Sequence, residues 1–309
     1  MNKTVLYLGI AFVVLLALYL ISSVTDRRVE EVRYLVEVDT TNIDYIHIDS
    51  PTHGEVTLQK TGGIWRITDP IDYPVEARSI SQTLEKISNM EIENLASSRK
   101  DQFSTYDVDD SAGVHVTIKS GGEEVADFLM GKAASTHRHN YFREVGSDKI
   151  WMVEGSYKYF LDRSLKDWRN KVIFDLNTDA IEEFTLNYPD HQVTITQEND
   201  TTWMVKSGGS EFVADNAKVD QVLRYVSSLR AAEFYNPEEA ETEPDFSNPE
   251  FRMNLEFEGG GEQWVALVPA DEKRYYVKKA DDETIYMVYE GTAQILMKDA
   301  DNYKPQEKT

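Results

Sequence analysis

Gly62-Gly63-Ile64-Trp65-Arg66-Ile67 followed by Val75-Glu76-Ala77, and Asp200-Thr201-Thr202-Trp203-Met204-Val205 followed by Val213-Ala214-Asp215, are the same phrase written twice, each running into an amphipathic helix. The two tryptophans lie 138 positions apart. A duplicated fold keeps its buried positions at a nearly constant offset while its loops drift. Ile43 and Ile181 share the offset of 138, and after one inserted residue Ile80, Leu84, Ile87 and Met90 map at 139 onto Val219, Leu223, Val226 and Leu229. The same step sets Val114-His115-Val116-Thr117-Ile118 on Met253-Asn254-Leu255-Glu256-Phe257, and Gly121-Gly122 on Gly260-Gly261. A shorter loop then drops the offset to 135, aligning Ile150-Trp151-Met152-Val153 with Ile285-Tyr286-Met287-Val288. An ordered series of this kind predicts two tandem homologous domains.

Length and composition agree, since 309 residues with 41% apolar content can bury two cores but would be large for one. Each copy reads as short alternating strands, the Trp strand, a helix with apolar side chains at three- and four-residue steps, and then two hairpins. That order predicts an α+β fold, a largely antiparallel sheet with a helix packed on one face of each copy. The expected organisation is an anchor over 1–28, a first repeat over 29–161, a helical connector over 162–180, a second repeat over 181–298 and a tail over 299–309. Without cysteine, disulfides and thiolate metal sites are excluded and packing alone must supply stability.

Val5 to Val24 is twenty residues without a charge, the ~20 needed for a helix to cross a bilayer core. Tyr7 and Tyr19 sit toward its ends, where amphipathic rings favour the membrane interface, and Thr25-Asp26-Arg27-Arg28 stops it. A cleaved signal peptide is the rival, but the run exceeds the usual apolar stretch of about 7–15 residues and no small-x-small cleavage site follows. Lys3 favours a cytoplasmic N-terminus, with Arg27, Arg28 and Arg33 counting against it. The expectation is a single-pass protein of the cytoplasmic membrane, its lipid contact through residues 5–24 and its remainder on the extracytoplasmic (periplasmic) side. Residues 1–28 hold Lys3, Arg27 and Arg28 against Asp26, a net of +2, so of the total of −23 the remainder carries −25, a surface that repels phosphate backbones and makes nucleic acid an unexpected partner.

Candidate chemistry is sparse. The loops Arg99 to Gly113 and Pro237 to Pro249 are acidic, but their oxygens lack calcium-loop spacing and read as solvated. His137 and His139 flank Arg138; in a strand both imidazoles would share a face, yet no third ligand is visible and Arg138 opposes a dication. Trp65 and Trp203 could stack on sugars if exposed, while their place before the core helix favours packing. Asn199-Asp200-Thr201 matches a glycosylation acceptor only formally. No nucleophile elbow, phosphate loop or dinucleotide fingerprint occurs. The reading is therefore a chain with no catalytic, cofactor-binding or metal residues, no cofactor, and no enzyme activity.

Beyond the single N-terminal span, Trp65-Arg66-Ile67 with Pro70 and Val75, Trp203-Met204-Val205 with Val213-Ala214-Asp215, and the stretch Leu161-Asp162-Arg163-Ser164-Leu165-Lys166-Asp167-Trp168-Arg169-Asn170-Lys171 form an ordered set. With it the chain resembles the bacterial domain-of-unknown-function family 4340 over nearly its whole length after Val24. The second copy departs from the pattern, with Ser207-Gly208-Gly209 where a proline is expected after the Trp strand. The resemblance implies a membrane-anchored extracytoplasmic accessory of ABC-type transport systems, some linked to gliding motility, with membrane-protein partners such as an ABC permease. A glycan- or peptide-binding module is the alternative.

Overall fold

The computed structural model describes Phe12, residues 33–35 and residues 39–305 other than 136, 200, 239 and 241. The anticipated span at 5–24 lies outside the described residues, Phe12 apart. Among the described residues no helix is long and apolar enough to cross a membrane. The chain divides into two compact units between Trp168 and Arg169.

The first unit contains strands β1 (Arg33–Tyr34), β2 (Ile43–Ser50), β3 (Gly54–Thr61), β4 (Ile64–Asp69) and β5 (Tyr73–Pro74), helix α1 (Ala77–Ser88), then β6 (Glu91–Ser97), β7 (Val114–Ser120), β8 (Glu123–Ala133), β9 (His139–Glu144) and β10 (Ile150–Glu154), closed by the short helices α2 (Tyr157–Leu161) and α3 (Leu165–Trp168). Its ten strands make one antiparallel sheet in the order β1-β6-β10-β9-β8-β7-β2-β3-β4-β5. The second unit repeats this with β11 (Ile181–Asn187), β12 (Gln192–Asn199), β13 (Thr202–Ser207), β14 (Ser210–Val213), helix α4 (Asn216–Ser227), β15 (Glu233–Phe234), β16 (Phe251–Phe257), β17 (Glu262–Pro269), β18 (Arg274–Lys279), β19 (Tyr286–Tyr289) and helix α5 (Glu290–Leu296). Its nine strands run β14-β13-β12-β11-β16-β17-β18-β19-β15. Two similar antiparallel sheets with a few helices make this an α+β fold.

Alternation puts one side of each strand into a core. In β2 the buried members are Ile43, Ile46 and Ile48, and in β11 Ile181, Phe184 and Leu186. The helix lies on that side through Ile80, Thr83 and Ile87 in α1, and through Val219, Val222, Leu223 and Val226 in α4. Each apolar side chain so buried contributes about 1.5–3 kcal/mol.

The helix start is tied down identically in both units. Trp65 accepts a hydrogen bond from the Val75 amide at 3.0 Å, and the Glu76 amide donates to the Trp168 carbonyl at 2.7 Å; the counterparts are Ala214 to Trp203 at 2.8 Å and Asp215 to Tyr303 at 2.8 Å. Trp168 and Tyr303, both buried, therefore end their respective repeats. This corrects the expected helical connector over 162–180. Residues 162–168 complete the first unit, where Ser79 donates its hydroxyl to the Asp167 carbonyl. Residues 169–180 open the second: Val172 bridges Arg230 as Tyr34 pairs with Glu91, and the Ile173 amide donates to Leu229 as that of Leu35 does to Met90. The single turns Thr40–Asn42 and Thr178–Ala180 are capped alike by Asp39 and Asn177.

A second correction concerns register. Ile46 faces Ile118 and Phe184 faces Leu255, so β7 aligns with β16 at an offset of 137 and Val114, Val116 and Ile118 correspond to Phe251, Met253 and Leu255. The expected 139 is two residues too long. A shift of two preserves the inward and outward alternation, so the apolar pattern matches equally well either way.

Candidate functional site

The side of each sheet away from the helix is where the repeats part. In the first unit Thr57, His47, Thr117 and Asp127 stand abreast on four adjacent strands. His47 Nδ1 lies 3.0 Å from Thr57 Oγ1, while Asp127 Oδ1 takes the Thr117 hydroxyl at 3.1 Å and sits 2.7 Å from His115 Nε2. Thr117 thus donates to the carboxylate and not to an imidazole, so these groups do not form a nucleophile, base and orienter in series. The matching row in the second unit is Thr194, Thr185, Asn254 and Trp264. There Arg252, at the position of His115, stacks 4.3 Å from the Trp264 ring and donates to Asn254 at 2.9 Å. A carboxylate–imidazole pair has become a cation–π pair on the same backbone.

The acidic loops cross these second faces. In the first unit Val108 is fully buried and Arg143, on β9, holds the loop from beneath. Its guanidinium donates to the Val108 carbonyl at 2.9 Å, lies 3.6 Å from Asp110 and stacks 4.2 Å from the Phe103 ring. Tyr106 meets Tyr141 edge-on at 4.5 Å. Gly131 permits this closeness: a Cβ there would stand 2.7 Å from Val108 Cγ1 and closer still to the Tyr106 carbonyl oxygen. The expectation of a wholly solvated loop is corrected here, because its apolar members and their backbone are packed on β8 and β9.

In the second unit the register places Val268 where Gly131 stands, and Glu250 where Gly113 stands. Tyr276, at the position of Tyr141, also meets a tyrosine edge-on, but the partner is Tyr235, which stands where the first unit has Ala96, at 5.6 Å. Beyond it the loop stands off the sheet, leaving a hollow of about 770 Å³ bounded by Pro189, Glu243, Pro244, Asp245, Glu250, Val268, Pro269, Ala270, Asp271, Arg274 and Tyr276. Arg274 is already engaged, 2.6 Å from Asp271 and 3.2 Å from Glu233. Its hydrogen bond to Asp271 raises the guanidinium pKa and lowers that of the carboxyl. The Ser247 amide similarly holds the Asp245 carboxyl below its usual range. Burial, aided by the charge of Glu250, pushes the neighbouring Tyr275 phenol up.

The turn between the first two strands is pinned differently in each repeat. Ser50 donates to Asp162 and accepts from the Thr52 and His53 amides. At the corresponding turn Tyr188 stacks on His191 at 4.4 Å, His191 Nδ1 lies 2.8 Å from Asp190, and its Nε2 is 3.4 Å from Asp299 in an ion-pair contact. The hydrogen bond to Asp190, with Asp299 adding its charge, raises the imidazole pKa.

Trp65 and Trp203 are only 9% and 6% exposed, so neither offers a sugar platform. His139 opens β9 and pairs with Glu93 at 3.0 Å, whereas His137 sits in the preceding turn with φ 56°, so the two imidazoles do not share a strand face. Among the described residues no three His, Asp or Glu side chains converge as a metal site. Asn199 accepts from the Thr201 amide and hydroxyl in a hairpin turn. Sequence reasoning singled out neither Arg143, Gly131 and Val268 nor the His115–Asp127 pair. The one signal available was a lone arginine and a lone glycine within strands of otherwise regular alternation.

The family model for a domain of unknown function, DUF4340, matches residues 65–249, more than half of the chain. The chain belongs to this family. The DUF4340 match begins at Trp65 and stops before β16, so it takes in both tryptophans, the seam at Trp168 and the first repeat's Gly131 and Arg143, while Val268 and Arg274 of the hollow lie beyond it. No curated protein and no solved structure matches this DUF4340 chain.

Proposed function

We propose that this DUF4340 chain is a membrane-anchored extracytoplasmic accessory protein, without catalysis of its own, whose two repeats dock or scaffold the membrane-protein partner of an ABC-type transport system. The carrying observation is the contrast between the two sides of the sheets. The inner sides and helix clasps are repeated nearly residue for residue, whereas the second sides have diverged from His115–Asp127 to Arg252–Trp264 and from a packed loop to a hollow. Packing retains what a core needs, and binding specificity resides in what varies around it. The uncharged run 5–24 supports the anchor, being long enough for one crossing.

The test is extraction of the full-length chain from its own membranes in mild detergent after crosslinking. Co-purification with an ABC permease is the expected result. Recovery in the soluble fraction, or as an uncrosslinked monomer, overturns the reading. A peptide-binding module is favoured as the second reading by one feature, the hollow beside Tyr276, while burial of both tryptophans counts against a glycan platform built on them.

A further inference from the structure

We infer that the surface of the first unit built by α1 and α2 rests on the phospholipid headgroup layer of the membrane that residues 5–24 are proposed to enter. Tyr159, in α2, is 73% exposed, although Tyr157 and Leu161 on either side of it are buried. Its ring meets Phe160 edge-on at 5.3 Å, and the Arg163 guanidinium lies over both, 5.9 Å from Tyr159 and 5.5 Å from Phe160. Lys86 reaches from α1 to the Phe160 ring at 5.4 Å. An exposed tyrosine among cations on long stems suits a membrane–water interface, where the ring lies at headgroup level and the cations meet phosphates. Over 77–88 and 157–168, Arg78, Lys86, Lys158, Arg163 and Lys166 stand against Glu85, Asp162 and Asp167, so these helices carry 5 − 3 = +2 on a chain of −23. Asp162 and Asp167 also accept the hydroxyls of Ser50 and Ser164. An anionic headgroup layer repels the chain as a whole and attracts this part of it.

The surface lies where the chain enters the unit. The Leu35 amide donates to the Met90 carbonyl at 3.0 Å and the Tyr157 hydroxyl to that of Asn89 at 3.1 Å, so the incoming chain and α2 meet at the same turn after α1. The ten residues 25–34 between the uncharged run and Leu35 reach at most roughly 35 Å, which keeps the unit close to any bilayer that the run enters. The second unit, farther along the chain, lacks the feature. Its helix α5 closes from Ala293 to Met297 as α2 closes from Lys158 to Asp162, an offset of 135 that puts Gln294, Ile295 and Lys298 at Tyr159, Phe160 and Arg163. Tyr225 stands at the position of Lys86 and pairs its hydroxyl with Thr292 at 3.0 Å. The inference rests on the anchor half of the proposed function and not on the transporter half.

Because the chain has no cysteine, a single introduced one can carry a fluorophore. Ser156 and Gly291 are equivalent exposed positions, each three residues ahead of Tyr159 or Gln294. The full-length chain, labelled at Ser156→Cys or at Gly291→Cys, is reconstituted into vesicles of phosphatidylcholine and phosphatidylglycerol in equal parts, with a lipid spin-labelled on its headgroup as quencher. Quenching at 156 should exceed that at 291 about threefold. Tyr159→Gln with Lys86→Gln, both exposed, should lower quenching at 156 to the level at 291 while melting stays unaltered. Equal quenching at the two positions, or indifference to the double substitution, overturns the docking and leaves the surface to a protein partner. Flotation of the same vesicles separates the two readings. A chain that floats without excess quenching at 156 keeps the anchor and loses the docking surface; a chain that does not float loses both.

Discussion

On the second face of the first unit, Gly131 lets the backbone of Tyr106 and Asp107 lie against β8 and Arg143 locks it there; on that of the second unit, Val268 stands at the position of Gly131 and a hollow opens beside Tyr276. The inner faces show no such divergence, since Trp65 with Trp168 and Trp203 with Tyr303 make the same two backbone hydrogen bonds. The close approach in the first unit thus needs a position without a Cβ, and the second unit carries a valine there. A glycine permits backbone-to-backbone approach that any side chain forbids, and a β-branched residue forbids it most firmly.

The sharpest test of the shared inner face is truncation of the tryptophans. Trp65→Ala and Trp203→Ala should each destabilise their own unit by about 3–5 kcal/mol in urea titrations followed by circular dichroism. A cost under about 1 kcal/mol at either would mean that the ring is not the core element its burial indicates. Next in size, Gly131→Val should cost about 1–3 kcal/mol, because the new side chain must displace the Tyr106 carbonyl and Val108. Limited proteolysis should then cut within 99–113, and an unchanged digestion pattern would break the account of the packed loop.

Arg143→Met should cost about 2 kcal/mol by stranding the buried Val108 carbonyl, measured by thermal unfolding. Its positional equivalent Lys278, paired with Glu283 at the surface, should lose no more than about 0.5 kcal/mol as Lys278→Met. Equal costs would erase the difference drawn between the loops. The smallest effect concerns pH. His191 binds its proton more tightly when folded than its ordinary value of 6.5, so its contribution is complete below that value and is lost as pH rises through the raised one. Imidazole NMR titration should locate this dependence in the second unit and His191→Gln should abolish it, whereas an imidazole titrating at or below 6.5 would refute the clamp.

Much of the fold was legible because period-2 and period-3.6 burial leaves a mark on every strand and helix. The Ile43/Ile181 and Ile80/Val219 echoes predict the duplication, and the apolar stripes predict the side of the sheet that each helix covers. The register of β16 escaped this reading because a two-residue slip returns every side chain to the same side. The seam at Trp168 also escaped, since a docked aromatic and a helical linker look alike until the Glu76 and Asp215 amides are seen to donate to the carbonyls of Trp168 and Tyr303.

The second faces were hardly legible at all. Arg143 in a strand gives no sign that its fork will close on a loop thirty-five residues earlier in sequence. Alone, then, the sequence determined the repeated core, the strongly acidic charge balance, and the family. Tertiary structure alone decided at which residue one repeat ends and the next begins, that the 99–113 loop is packed, and that a hollow lies beside Tyr276 in the second unit. The physical reason is that hydrophobic alternation is local and additive along the chain, whereas the packing of a loop on a sheet depends on contacts between residues distant in sequence, as Gly131 and Arg143 make with the backbone of 106–108.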